Sequence, residues 1–321
     1  MSGRASRVLT WIVLSAILVS VSGLAEARPF VVGIVCQSAT MEPAVAGFKD
    51  ALSELMKHDA DASATYIYSG PISDVAAEVD RLLSSGGVDL LFTLGTPAAQ
   101  AAQKATLGTG FPVVFTVVTD PVASNIVADL IHPGGNVTGV KTGGCIAKEM
   151  EWLLQVAPGV KRLYVPHNPT DGGSVQGLAE LIPAAATLGI ELVVREVTTT
   201  DELLAALAQV PNDVDALFLN SSGVLNAQID AYVQTALAHR LPLASVCPCI
   251  DSGVLLAYGH DYRRDGEQAA RLVHAIFHGA VPADLPVETA DFFLGINLKT
   301  AEAIGLVISD DVLDQADFIV R

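Results

Sequence analysis

Two nearly all-apolar segments, each running straight into a short polar corner, constrain this chain more than any other feature. Val88-Asp89-Leu90-Leu91-Phe92-Thr93 leads into Gly95-Thr96-Pro97, and Pro112-Val113-Val114-Phe115-Thr116-Val117-Val118 leads into Thr119-Asp120-Pro121. Runs this apolar lack the in-out alternation of a half-solvated strand and predict strands covered on both faces, the condition of a parallel sheet. A Thr or Asp at the strand's end caps a following helix, and Pro is accommodated in that helix's first turn. Backbone N–H donors therefore gather at the carboxyl edge of the sheet, where open α/β sheets receive small molecules.

The alternation continues in both directions. Residues 30–35 predict a strand, Val45, Phe48, Leu52 and Leu55 a helix, residues 65–68 a strand, and Val75, Val79, Leu82 and Leu83 a helix ended by Gly86-Gly87. After the second corner, Val122, Ile126, Val127, Leu130 and Ile131 predict another helix, closed by His132-Pro133-Gly134-Gly135. Beyond Gly139 comes a second series. Met150, Leu153 and Leu154 mark a helix; strands are expected near 162–165, 190–194, 216–220 and 241–245, and helices near 174–188, 201–210 and 225–239. In the helix of 174–188, Val175, Leu178, Ile182 and Ala185 are expected to face inward. The remaining strands near 254–258 and 292–296, with helices near 265–278 and 298–304, are expected to cross back and complete both lobes. The predicted fold is α/β: two doubly wound parallel-sheet lobes joined by a three-crossing hinge near 137–143, 246–260 and 283–291. The first lobe would hold 28–138 plus 259–288, the second 139–258 plus 289–321, with a ligand cleft between them.

The N-terminus reads as a signal peptide over 1–27. Arg4 and Arg7 form a basic start, residues 8–21 an apolar run, and Ala25-Glu26-Ala27 a small-x-small cleavage pattern before Arg28. The run is shorter than the about 20 residues a membrane span requires, so cleavage is expected over a retained anchor. No Cys directly follows the cleavage pattern, which argues against lipid attachment there. The expected compartment is the periplasm. A formal charge of −17 without any Lys/Arg-rich run argues against nucleic acid. Cys36, Cys145, Cys247 and Cys249 allow a disulfide in an oxidising compartment, and Cys145 with Cys249 is the pair that would clamp a hinge; buried free thiols are the alternative. Cys247-Pro248-Cys249 lacks zinc-ligand spacing and none of the seven His adds a compact partner motif, so no metal site is expected.

Five segments carry a family resemblance. GTPAAQAAQKAT (95–106), FPVVFTVVTDPVASNIVADLIHPGGNVTGV (111–140), HNPTDGGSV (167–175), HDYRRDGEQAARLVHAIFHGAVPADLPVE (260–288) and INLKTAEAIGL (296–306) resemble the ABC-transporter substrate-binding family that includes tryptophan- and tyrosine-binding members. The resemblance implies a type I periplasmic binding-protein fold, closing on a small solute and delivering it to a membrane permease with its cytoplasmic ATPase. By the same resemblance, Thr96, Thr119 and Asp120 match the polar corners of the first lobe, Asn168 the Asn-Pro corner of the second, and Asp261 an Asp-Tyr step. Where many members carry an acid, this chain has Asn220-Ser221-Ser222, which leaves an ammonium group without its partner there.

Ser38 follows the first strand like the first-loop contacts of such folds, and Thr40, Thr96 and Ser174 can each contact solute or cap a helix. Asn168 and Asn220 can bind solute or shape their turns. Tyr66 and Tyr68 are expected to pack on the sheet, and Trp152 in the core. His260 beside Asp261 does not make a catalytic dyad, and Gly-x-Ser-x-Gly, His-Glu-x-x-His and P-loop patterns are absent from the sequence. The expected protein is a non-enzymatic, cofactor-free monomer that binds a small polar, amino-acid-like or aromatic solute for an importer. The alternative is a periplasmic subunit that senses the solute for a membrane receptor; a hydrolase or lyase is the third and weakest reading.

Overall fold

The computed structural model describes residues 28–59, 63–220, 222–246 and 249–321. The expected signal peptide and Cys247-Pro248 lie outside these residues. Strand and helix alternate as the apolar patterning predicts: β1 (Phe30–Cys36), α1 (Glu42–Met56), β2 (Ala64–Ile67), α2 (Val75–Ser84), β3 (Leu90–Leu94), α3 (Thr96–Thr106), β4 (Val113–Val118) and β5 (Val137–Lys141). Then follow α4 (Ile146–Val156), β6 (Arg162–His167), α5 (Gly172–Leu188), β7 (Glu191–Glu196), α6 (Thr200–Ala208), β8 (Ala216–Leu219), α7 (Gly223–Asn226), α8 (Ile229–His239), β9 (Leu243–Ser245) and β10 (Leu256–His260). The chain ends with α9 (Tyr262–Phe277), β11 (Glu288–Thr289), β12 (Phe292–Asn297), α10 (Leu298–Ile304), α11 (Asp310–Leu313) and β13 (Phe318–Val320).

Two sheets result. The first has the order β11-β5-β4-β3-β1-β2 and is parallel throughout. The second, β13-β12-β10-β9-β8-β6-β7, is parallel except where β12 runs against β10. Both faces of each sheet are covered, which is why the central strands are apolar at all but Thr93: β3 (LLFTL) and β8 (ALFL) are buried end to end. In each sheet the first strand of its series sits between the second and the third. The order therefore reverses between β1 and β3 in one lobe, and between β6 and β8 in the other.

The chain passes between sheets three times. It leaves β5 for α4 through 142–145, leaves β10 for α9 at Asp261, and leaves β11 for β12 through 290–291. The pairing of β5 reaches Lys141, three residues past the expected boundary at 138, because β4 and β5 pair again at Val118↔Lys141 after a register shift. Helix α9 returns to the first lobe, where Gly47 and Gly266 let it touch α1 backbone to backbone: a Cβ at Gly266 would lie 1.9 Å from the Ala44 carbonyl oxygen.

Two expectations fail. Residues 122–131 form turns rather than a helix: the Pro121 carbonyl accepts Ile126 and Val127 N–H, five and six residues on, in place of the N–H four residues on, and Asn125 has φ 54°. In α5 the buried face is Ser174, Gly177, Leu181, Ala184 and Ala185, while Val175 and Ile182 are exposed. Small residues win that face because α5 lies close over Asn220, whose Oδ1 would be 2.2 Å from a Cβ at Gly177.

Candidate functional site

The point where strand order reverses is where an open α/β sheet leaves a crevice at its carboxyl edge, since loops on either side of it run to opposite faces. At the first reversal, β1 delivers Gln37 and Ser38 and β3 delivers Gly95 and Thr96. Gly95 has φ 93° and lies against Gln37, whose Cδ would be 2.7 Å from any Cβ placed there. Its N–H donates to the Thr116 carbonyl at 3.0 Å. Gly95 is the N-cap of α3, so Thr96 is the first helical residue rather than a cap; its half-buried hydroxyl stands at the helix N-terminus. Ser38 caps the short turn at 39–41 and meets Thr40 Oγ1 at 2.9 Å, so Thr40 is a partner of the cap and not a cap itself.

The neighbouring corner is built by a distortion. Strand β4 carries one extra residue relative to β5 between Phe115 and Val118, and Val117 sits at φ 57°. A β-branched residue in that region costs on the order of 1–3 kcal/mol, and such strain persists where the surroundings hold it at a functional position. Bulges re-aim the side chains that follow them; here those are Thr119 and Asp120, both half-buried. Asp120 Oδ1 accepts N–H bonds from Val122 at 3.0 Å and Ala123 at 2.9 Å, an Asx turn in place of the expected helix cap. The first crossing runs directly over this corner: a Cβ at Gly143 would be 2.5 Å from the Thr119 carbonyl oxygen. Lys141 Nζ donates to the Gly143 carbonyl at 2.7 Å and brings a cation to the same place.

At the second reversal, Asn168 follows β6 and Asn220 follows β8, and Ser174 joins them. Ser174 and Asn220 are fully buried, Asn168 nearly so. Ser174 Oγ accepts the Asn168 backbone N–H at 2.9 Å and Asn220 Nδ2 at 2.9 Å, and meets His167 Nδ1 at 3.0 Å. Asn220 Nδ2 also donates to the Ser174 carbonyl at 2.9 Å. Asp171, not Ser174, is the N-cap of α5. Asn168 Oδ1 accepts from Thr170 N–H and Oγ1, which shapes the turn through Pro169. Ser174 and Asn220 therefore hold the corner, and Asn168 is the member on the loop itself.

Asp261 lies at the second crossing, where its Oδ1 caps α9 by accepting the Arg264 N–H at 3.0 Å. It borders a cavity of about 430 Å³, lined also by Asp251, Phe293 and Phe318. The carboxylate that pairs with His260 is Asp265, 2.5 Å from Nδ1 and one turn into α9. Burial pushes the Asp265 carboxyl above its ordinary range, and the His260 charge offsets part of that.

The Cys145–Cys249 bond does not form. Cys145 is a buried free thiol at the N-terminus of α4, on the sheet face carrying Ile146 and Met150. Cys249 packs on the opposite face with Leu219, Leu225 and Tyr232, its Sγ 3.6 Å from Ser245 Oγ. Burial, then the negative charges of Glu149 and Glu180, push the Cys145 thiol far above its ordinary value. The sequence reading also passed over Gln37, Lys141, Gly143 and the buried Glu149 in the first turn of α4. Gln37 and Gly143 had a signal: each adjoins a predicted corner or crossing, and a Gly-Gly pair between strand and helix marks close backbone approach.

With this geometry in hand, comparison with known proteins is specific. The profile of the family described as ABC transporter substrate binding protein matches residues 31–320. A curated tyrosine-binding protein of Clostridioides difficile is 30% identical over 204 residues, 63% of this chain and 59% of that protein. The match thus spans less than two thirds of that relative's length. The crystal structure of an ABC domain in complex with L-Trp from Streptococcus pneumoniae superposes with a TM-score of 0.78 at 25% identity, covering 91% of this chain and 99% of that one. A conserved domain protein from Vibrio cholerae gives 0.77 at 26% identity over 91% and 99%.

Proposed function

The chain belongs to the ABC transporter substrate-binding protein family, a family of binding proteins rather than enzymes, and from that premise we propose that it is exported and captures an amino-acid-like, aromatic solute between its two lobes for delivery to a permease. The observation that carries this reading is the pairing of two strand-order reversals, one lined by Gln37, Gly95, Thr96, Thr119 and Asp120, the other by Asn168 on its buried Ser174–Asn220 support. The three crossings join these two edges, and a tyrosine-binding relative and an L-Trp-bound neighbour supply the solute class.

In this reading each edge has a distinct task. The N-terminus of α3 and Lys141 attract a carboxylate, while the Asp120 carboxylate gives an ammonium group the acid that Asn220 does not. Ser38, Thr40, Thr96 and Thr119 supply hydroxyls, Ser174 and Asn220 position Asn168, and Asp261 fixes the second crossing as the lobes rotate. Closure requires that solute prefer the closed form; moving an equilibrium from 1:99 to 99:1 takes about 10⁴-fold tighter binding to one state, so contact with both edges is needed.

Calorimetric titration of the mature chain with L-Trp, L-Tyr and 4-hydroxybenzoate, together with native mass spectrometry of gently purified protein, tests the solute. Binding of one aromatic amino acid is expected, lost in the Asp120→Ala, Asn168→Ala double variant. Unchanged affinity in that variant refutes the site. Uptake of the labelled solute by cells should disappear on deletion of the protein; intact uptake refutes the importer role.

A further inference from the structure

Three metal-ligating side chains meet at the rear of the first lobe, outside the proposed solute site. His274 and His278 lie four residues apart, one turn of helix, at the C-terminal end of α9, and Asp59 follows α1. Asp59 Oδ2 is 2.8 Å from His274 Nε2 and 3.4 Å from His278 Nε2, and the donor atoms of the three residues all lie within 4.8 Å of one another. His278 Nδ1 lies 2.8 Å from the His274 carbonyl oxygen. A carbonyl oxygen only accepts, so Nδ1 carries the proton and the Nε2 lone pair faces the cluster. That is the tautomer a metal-bound imidazole needs, set by a second hydrogen bond in the usual way.

We propose that Asp59, His274 and His278 bind one zinc-class divalent ion, with water in the remaining position. The donor set selects the metal: two imidazoles and one carboxylate suit zinc and its first-row neighbours, whereas calcium and magnesium take oxygen ligands. Ligands about 2.0–2.1 Å from a tetrahedral ion stand about 3.3 Å apart, so the two spacings from Asp59 Oδ2, 2.8 and 3.4 Å, require adjustments of about 0.5 Å or less, and the spacing between the two imidazoles, within 4.8 Å, one of about 1.5 Å at most. The His278 side chain is 49% exposed against 25% for His274 and 21% for Asp59, which opens the cluster to solvent from one side. The ion would tie the end of α1 to the end of α9, two helices already in backbone contact at Gly47 and Gly266. Sequence reading missed the site because the Asp lies 215 residues from its His partner.

The test uses the tag-free mature chain, stripped with a chelator and titrated with Zn²⁺ in a competition assay, with Co²⁺ as a spectroscopic substitute. One equivalent of Zn²⁺ at micromolar or tighter affinity and the intensified visible bands of four-coordinate Co²⁺ are expected. His278→Gln and Asp59→Asn should each weaken Zn²⁺ binding by on the order of 100-fold. His58→Gln, beside Asp59 in sequence but outside the cluster, should bind like the parent. His278 is exposed enough that its variant should keep the parent's circular dichroism and metal-free melting temperature. No stoichiometric binding, equal binding by the parent and both cluster variants, or loss confined to His58→Gln would each overturn the proposal.

Discussion

Replacing Ser174 by Ala tests whether the second-lobe corner is held by one hydroxyl. Ser174 is fully buried, and its Oγ serves Asn168 N–H, Asn220 Nδ2 and His167. Asn220 Nδ2 keeps the Ser174 carbonyl after the change, so the penalty falls on the other two. An orphaned buried N–H at Asn168 costs about 1–3 kcal/mol, and the lost bond to His167 adds about 0.5–1.5 kcal/mol. Together they predict a loss of about 2–4 kcal/mol in second-lobe stability. The chain carries its own reporter: Trp152 is the one Trp after Arg28, it is buried, and it shares a core with Leu181, Ala184 and Ala185 of α5. Urea unfolding followed by Trp152 fluorescence should move to lower midpoint with unchanged slope. Asp171→Ala is the comparison, since it removes the N-cap of the same helix and a long 3.4 Å bond from the Gly223 N–H while leaving the Ser174 hydroxyl in place, and should cost about 1 kcal/mol. A Ser174→Ala loss below about 0.5 kcal/mol, or smaller than that of Asp171→Ala, refutes the reasoning, because simple fraying of α5 would then account for the corner.

Gly143→Ala places a Cβ 2.5 Å from the Thr119 carbonyl oxygen, so either the crossing or the Thr119 corner must shift; destabilisation of about 1–3 kcal/mol and weaker solute binding by calorimetry are expected, and a variant matching the parent in both rules out the close approach. Asp265 has a folded-state pKa raised by burial. The native state therefore holds more protons than the unfolded chain from the ordinary carboxyl value upward, and this group's contribution falls as pH rises through that window. Asp265→Asn should remove that downward slope from a plot of unfolding free energy against pH, and identical slopes in parent and variant would show that the group does not titrate as argued.

Parallel strands, their order along the chain and the position of both first-lobe corners were legible in the sequence because they depend on local chemistry. Uninterrupted apolar runs, helical spacing and Gly or Pro punctuation act over a few residues, and the family segments extend the same reading across both lobes. The failures share the opposite property. A one-residue bulge beside β5 re-aims Thr119 and Asp120; Asn125 and Pro121 turn an apolar run away from helix; the crowding of Asn220 over Gly177 selects the small-residue face of α5 and turns Val175 and Ile182 outward.

By itself, then, the sequence determined that this chain builds doubly wound α/β lobes ending in polar corners, since backbone propensity and burial period are written locally. Tertiary structure alone decided what each corner is built from. The two strand-order reversals, the bond from Ser174 to Asn220 across 46 residues and the meeting of Asp59 with His274 across 215 all depend on sheet order and helix packing. Those are set by the summed burial of whole elements, a quantity no local window contains.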